Sequence, residues 1–104
     1  MSRFDNVSVL TTANVYFDGR VISHTVLFPD GGKKTLGVML PGEYRFGTAQ
    51  PELMEIQSGE VMIRLPGEEG WRTVKGGESF EVAGHASFDI KVLELTDYCC
   101  SYLD

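Results

Sequence analysis

The chain has 104 residues and is 42% hydrophobic, which excludes intrinsic disorder and leaves room for one domain rather than separate cofactor and substrate domains. Fifteen acidic residues against nine basic ones, a net charge of -6, exclude the basic face of a nucleic-acid-binding module. They also require that any phosphate-bearing ligand be held by local donors, because the overall field repels it. No apolar run approaches the roughly 18 residues of a membrane helix, and Met1 to Asn6 carries no apolar core of a secretory signal. The expected location is cytoplasmic, with neither nucleic acid nor membrane as partner.

Residues 1–12 read as an N-terminal segment and 13–104 as a single domain. Asp18-Gly19 predicts a turn, followed by a strand over Arg20–Phe28. Asp30-Gly31-Gly32 turns the chain into Thr35–Leu40, and Pro41-Gly42 turns it again. Tyr44, Phe46 and Thr48 then share one strand parity. Pro51-Glu52-Leu53-Met54-Glu55 is the best helical candidate, a single turn begun by proline and cut short at Ser58-Gly59. Glu60–Leu65 places Val61, Ile63 and Leu65 on one face, and Ser79–Val82 is a short strand after Gly76-Gly77. Beyond Ala83-Gly84, Ser87–Leu95 repeats the alternation with Phe88, Ile90 and Val92, so that Asp89 and Lys91 should face out. Short strands at roughly 8–12-residue spacing with turn chemistry between them indicate an all-β sandwich or barrel. Cys99 and Cys100 are adjacent, and strand neighbours point to opposite faces, so both are expected as reduced thiols.

Two spacings resemble the cupin, a small jelly-roll barrel. Its first motif runs G-x5-H-x-H-x3,4-E-x6-G. With Glu52 and Gly59 as the E-x6-G pair, the histidine positions fall on Phe46 and Thr48 and the opening glycine is displaced to Gly42. The second motif, started at Gly77, places its proline on Ala83 and its histidine on Phe88. Phenylalanine has no lone pair to donate and threonine is a poor ligand, so a cupin-like barrel without its metal positions is expected.

Longer runs carry a more specific resemblance. Ala13-Asn-Val-Tyr-Phe-Asp-Gly-Arg20-Val, Leu36-Gly-Val-Met-Leu-Pro-Gly-Glu-Tyr44 and Phe46-x-Thr48-Ala49-x-Pro51-Glu52-x-Met54 follow in order. Leu65-Pro66, Trp71, Gly77-Glu-Ser-Phe-Glu-Val82 and Tyr98-Cys-Cys-Ser-Tyr102 complete the pattern. Together they resemble the pyrimidine/purine nucleoside phosphorylase family over nearly the whole chain from Ala13. The chain departs from that pattern at Ala83, where proline is usual, and at Arg45, which should face outward. The resemblance implies a cupin-type fold, a homodimer, and phosphorolysis of purine and pyrimidine nucleosides to free base and (deoxy)ribose 1-phosphate. It implies inorganic phosphate as co-substrate, with no organic cofactor and no metal.

Such chemistry develops positive charge on the sugar and negative charge on the leaving base. Glu52 suits the cationic sugar or its hydroxyls, and Tyr44 and Thr48 offer hydroxyl donors beside it, which makes these three the catalytic candidates. Phe46 and Phe88 offer an apolar wall for any base. Arg20 and Ser23, three residues apart, are candidates for phosphate. The same residues also have plainer readings: Phe46 and Phe88 as barrel filling, Tyr44 and Thr48 as ordinary strand residues, Glu52 as a turn carboxylate, Arg20 as a solvated charge. A noncatalytic metal-free cupin that binds a small sugar or nucleoside is the alternative function.

Overall fold

A computed structural model of the chain describes residues 3–103. Eleven strands run in order: β1 (Ser8–Val9), β2 (Asn14–Tyr16), β3 (Val21–Leu27), β4 (Lys33–Met39), β5 (Gly42–Gly47), β6 (Glu52–Ser58), β7 (Glu60–Arg64), β8 (Arg72–Lys75), β9 (Ser79–Val82), β10 (Ser87–Val92) and β11 (Thr96–Tyr102). Among the described residues the only helical piece is a 3-10 turn at Phe17–Gly19, and no helix is long and apolar enough to cross a membrane.

The strands form two antiparallel sheets. One follows the order β1-β3-β4-β11-β6-β9, with β2 also paired to β3, and the other β5-β10-β7-β8. Period-two alternation aims one face of each sheet at the other. Between them Val21, Met39, Ile56, Val61, Ile63 and Ile90 are all no more than 1% exposed. This is the all-β architecture that the turn spacing predicts.

Local chemistry explains the turns. Between β3 and β4, the Asp30 carboxylate accepts the Gly32 N–H at 2.8 Å, and Gly31 takes a φ of +93° that glycine adopts without strain. The segment whose helical signal was too short for a real helix is β6, a strand held between β11 and β9. Proline at its start does no harm in that position, and pairing on both sides outweighs the weak helical signal of five residues.

Arg45, Asp89 and Lys91 lie on the outside of the four-stranded sheet, as their parity requires. Arg45 Nε and Arg64 Nη2 approach the Asp89 carboxylate at 2.8 and 2.9 Å, and their hydrogen bonds hold its pKa down to about 2. A depressed carboxylate of this kind stabilises the fold above its unfolded pKa of about 3.9 and loses that contribution as the pH falls towards 2. Trp71 packs on the same outer face, under the Arg64 guanidinium and the Lys91 ammonium at 4.6 and 4.2 Å from its ring centre.

Candidate active site

The barrel interior holds an open cavity of about 110 Å³. One wall is aromatic. Phe46 on β5 and Phe88 on β10 are cross-strand partners whose rings stack 5.8 Å apart at 25°, and Tyr16 meets the edge of Phe46 at 6.2 Å. The opposite wall is polar, built from Ser23 on β3, Thr35 on β4, and Tyr98, Cys100 and Tyr102 on alternate positions of β11. Glu52, the first residue of β6, brings a carboxylate to the same space.

Glu52 is half-buried, and its pKa is raised because burial penalises the ionised form, while a hydrogen bond from Cys100 pulls the other way. The Cys100 thiol donates to Glu52 Oε1 at 3.4 Å. That thiol is itself pushed well above the ordinary range, first by burial and then by the negative charge of Glu52. Burial also raises both cavity phenols, Tyr102 to about 12 and Tyr98 further, with Ser23 opposing the rise at Tyr98 and Thr35 opposing it at Tyr102. Both therefore remain O–H donors at any physiological pH.

Of the residues singled out from sequence, Glu52, Phe46, Phe88 and Ser23 meet in this cavity. The other three make their contacts elsewhere. The Tyr44 hydroxyl donates to the Leu40 carbonyl at 2.7 Å, and Arg20 donates to the Pro41 carbonyl across the turn that leads into β5. Arg20 precedes β3 while Ser23 faces inward from its third position, so three residues of chain separate them onto different sides of the wall. The Thr48 hydroxyl donates to the Ala83 carbonyl at 2.6 Å and accepts the Ala86 N–H at 3.1 Å, which ties the end of β5 to the loop between β9 and β10. Thr48→Val is therefore expected to cost about 1–2 kcal/mol of stability, read as a fall in Tm of several degrees for a domain of this size.

The cavity also shows what reading by residue type overlooked. Tyr16, Thr35, Tyr98, Cys100 and Tyr102 line it, and none was a sequence candidate. The signal for three of them was present as period two in Tyr98-x-Cys100-x-Tyr102, which sets them on one face of a strand. Thr35 and Tyr16 carried no such mark, because their position depends on which strands become neighbours.

The donors do not suit the metal of a cupin barrel. At the expected ligand positions, Phe46 and Phe88 present carbon and Thr48 is bonded to backbone carbonyls, which leaves Glu52. Among the described residues no group of three His, Cys, Asp or Glu side chains is placed to hold a metal ion. One carboxylate beside a thiol and phenols whose protons burial holds in place does not replace the missing imidazoles.

The family model for pyrimidine/purine nucleoside phosphorylase matches residues 11–102. The chain belongs to the pyrimidine/purine nucleoside phosphorylase family. Relatives bearing that name include one from Geobacter sulfurreducens, 62% identical over 103 residues and covering 99% of each chain. Another, from Leptospira interrogans serovar Lai, is 52% identical, covering 99% of this chain and 97% of its own. A crystal structure of a protein of unknown function from Acinetobacter sp. ADP1 superposes with a TM-score of 0.95 at 45% identity, covering 97% of this chain and 98% of that one. The cupin domain of a transcriptional regulator from Enterobacter cloacae has a TM-score of 0.63 at 14% identity, covering 82% and 98% respectively, and so shares the fold. Family membership and the cupin-like barrel thus agree with the resemblance carried by the sequence.

Proposed function

We propose that this chain is a phosphorylase of broad specificity, converting purine and pyrimidine nucleosides and inorganic phosphate to free base and (deoxy)ribose 1-phosphate. The C1′–N bond breaks with its electron pair leaving on the base, and a phosphate oxygen forms the new bond to C1′. The observation that supports this best is a single cavity with a stacked aromatic wall on one side and a half-buried carboxylate, Glu52, beside it.

A flat apolar wall stacks on any base with little regard to its ring substituents, which suits a broad range. Glu52 stabilises the positive charge that grows on the sugar ring in the transition state, where a carboxylate in a partly water-excluded space acts more strongly than in bulk water. Phosphate is the nucleophile and the chemistry calls on no organic cofactor.

Purified protein with adenosine or uridine should release base when phosphate is present and none in phosphate-free buffer, as followed by chromatography of base and sugar phosphate. Equal release without phosphate would make the protein a hydrolase. Ligand-induced thermal stabilisation with no product would make it a binding protein.

A further inference from the structure

We infer that inorganic phosphate is held in this cavity by neutral hydroxyl donors, Ser23, Thr35 and Tyr98, and enters as the monoanion. The inference rests on the proposed phosphorolysis and names the subsite that reaction needs.

Among the described residues that line the cavity there is no lysine, arginine or histidine. Arg20, the obvious cation by sequence, is engaged with the Pro41 carbonyl outside it. An anion taken here must therefore be met by hydrogen-bond donors without charge. The barrel supplies them at a place where an ordinary core would not. Ser23 is 2% exposed, Thr35 6% and Tyr98 6%, all on the inner face of the seven-stranded sheet. Burying hydroxyls in an apolar core costs free energy unless each finds a partner.

Their arrangement points the donors into the open space. Gly37 stands between Ser23 on β3 and Tyr98 on β11 in the register, and a Cβ there would lie 2.7 Å from the Cβ of Ser23. The missing side chain lets Ser23 and Tyr98 close in over β4, and Thr35, two positions earlier on β4, faces the cavity beside them. The Asn14 amide donates to Ser23 Oγ at 3.2 Å, and the Ser23 hydroxyl in turn bonds the Tyr98 phenol oxygen, so the hydrogen this pair presents onward is the phenol's. Tyr98 keeps its proton because burial disfavours the phenolate.

In the sheet these donors are offset from the carboxylate that shares their cavity. Ser23 and Thr35 lie on β3 and β4, three and two strands from Glu52 on β6. Tyr98, on the neighbouring β11, pairs with Ile56, four residues along β6 from Glu52. The titratable groups facing the cavity are Glu52 from β6, Tyr98, Cys100 and Tyr102 from β11, and Tyr16 from β2; β3, β4, β5 and β10 contribute none. Every one of these is neutral or negative, and Lys33 on β4 stays outside the lining, with its ammonium over the Tyr102 ring 4.9 Å from the ring centre. A dianion gains no opposite charge here and is repelled by Glu52, so the monoanion is preferred, and binding takes up a proton wherever the dianion predominates in solution.

Steady-state phosphorolysis of one nucleoside, with each substrate varied across the neutral pH range, tests this. Ser23→Ala, Thr35→Val and Tyr98→Phe are expected to raise the phosphate KM roughly ten-fold or more, the cost of losing a hydrogen bond to a charged group, with the nucleoside KM little changed. In the wild type, the phosphate KM should rise with pH through the second ionisation of phosphate. A phosphate KM that is flat with pH overturns the inference. So does one raised by Arg20→Met while the three hydroxyl variants leave it unchanged. If the wild type releases no base at all, it is the phosphorolysis reading that fails. The subsite is then read by thermal shift: stabilisation by inorganic phosphate over sulfate, lost in Ser23→Ala and Tyr98→Phe, supports it, and no phosphate-specific stabilisation overturns it.

Discussion

Glu52→Gln is expected to lower kcat by roughly two to three orders of magnitude, the effect of removing one preorganised electrostatic contact to the charge that develops in a transition state, while leaving Tm within a few degrees of the wild type. The amide has the shape of the carboxyl and its oxygen still accepts the Cys100 S–H, so the packing at the start of β6 is retained. It has no charge to set against the cationic sugar. Stability should hold for a second reason. Burial raises the Glu52 pKa, so the native state binds its proton more tightly than the unfolded chain does. A raised carboxyl pKa means that stability from this group falls as pH rises through the window between the unfolded and folded values. Above that window the ionised side chain is a cost to folding, and glutamine relieves it. Turnover and thermal melts measured on the same preparation separate the cases: unchanged turnover removes Glu52 from the chemistry, and matched losses of both would make it a structural residue.

Gly59→Ala is expected to cost about 3 kcal/mol or more, summing left-handed strain and overpacking, and to lower Tm by roughly 12 °C or more in a domain of about this length. Gly59 makes the turn from β6 to β7 at a φ of +101°. A Cβ there would sit 2.7 Å from the Leu95 carbonyl oxygen and closer still to the hydroxyl of Thr96, which is fully buried and bonded to the Glu94 carbonyl. Neither neighbour can yield, because Leu95 and Thr96 lead directly into β11, the strand between β4 and β6. The Gly59 carbonyl also accepts the Gly76 N–H at 3.1 Å, so a shift of the turn propagates to the β8–β9 connection. Denaturant unfolding of the variant gives the number directly. A loss below about 1 kcal/mol would mean that the β6–β7 turn re-forms in another geometry.

Glu52 and Gly59 are the two ends of one spacing, E-x6-G, and they illustrate how much was legible. The spacing marks a strand that begins with a carboxylate and ends in a tight turn, and β6 does both. Its local sequence offered only a weak helical signal, a single turn that Pro51 could start and that is too short for a helix. The strand exists because β11 and β9 pair with it on either side, which no window of five residues reports.

Thr48 and Phe46 show the same limit within the site. Both share a parity and both were candidates, yet Phe46 faces the cavity while Thr48, just past the end of β5, ties its hydroxyl to the Ala83 and Ala86 backbone. Strand parity predicts which side a residue takes only while the strand continues.

By itself the sequence determined the all-β barrel, through turn residues and period-two alternation, and the family, through runs spread along most of the chain. Those are properties of short segments and of their order. Which side chains meet in the cavity was decided by tertiary structure alone. Ser23, Thr35 and Tyr98 are unremarkable in type, and they line one cavity only because β3, β4 and β11 lie side by side. Arg20 looked the better phosphate ligand because charge is visible in one dimension. Proximity is set by strand pairing, and strand pairing turned Arg20 towards a backbone carbonyl and three neutral side chains towards the cavity.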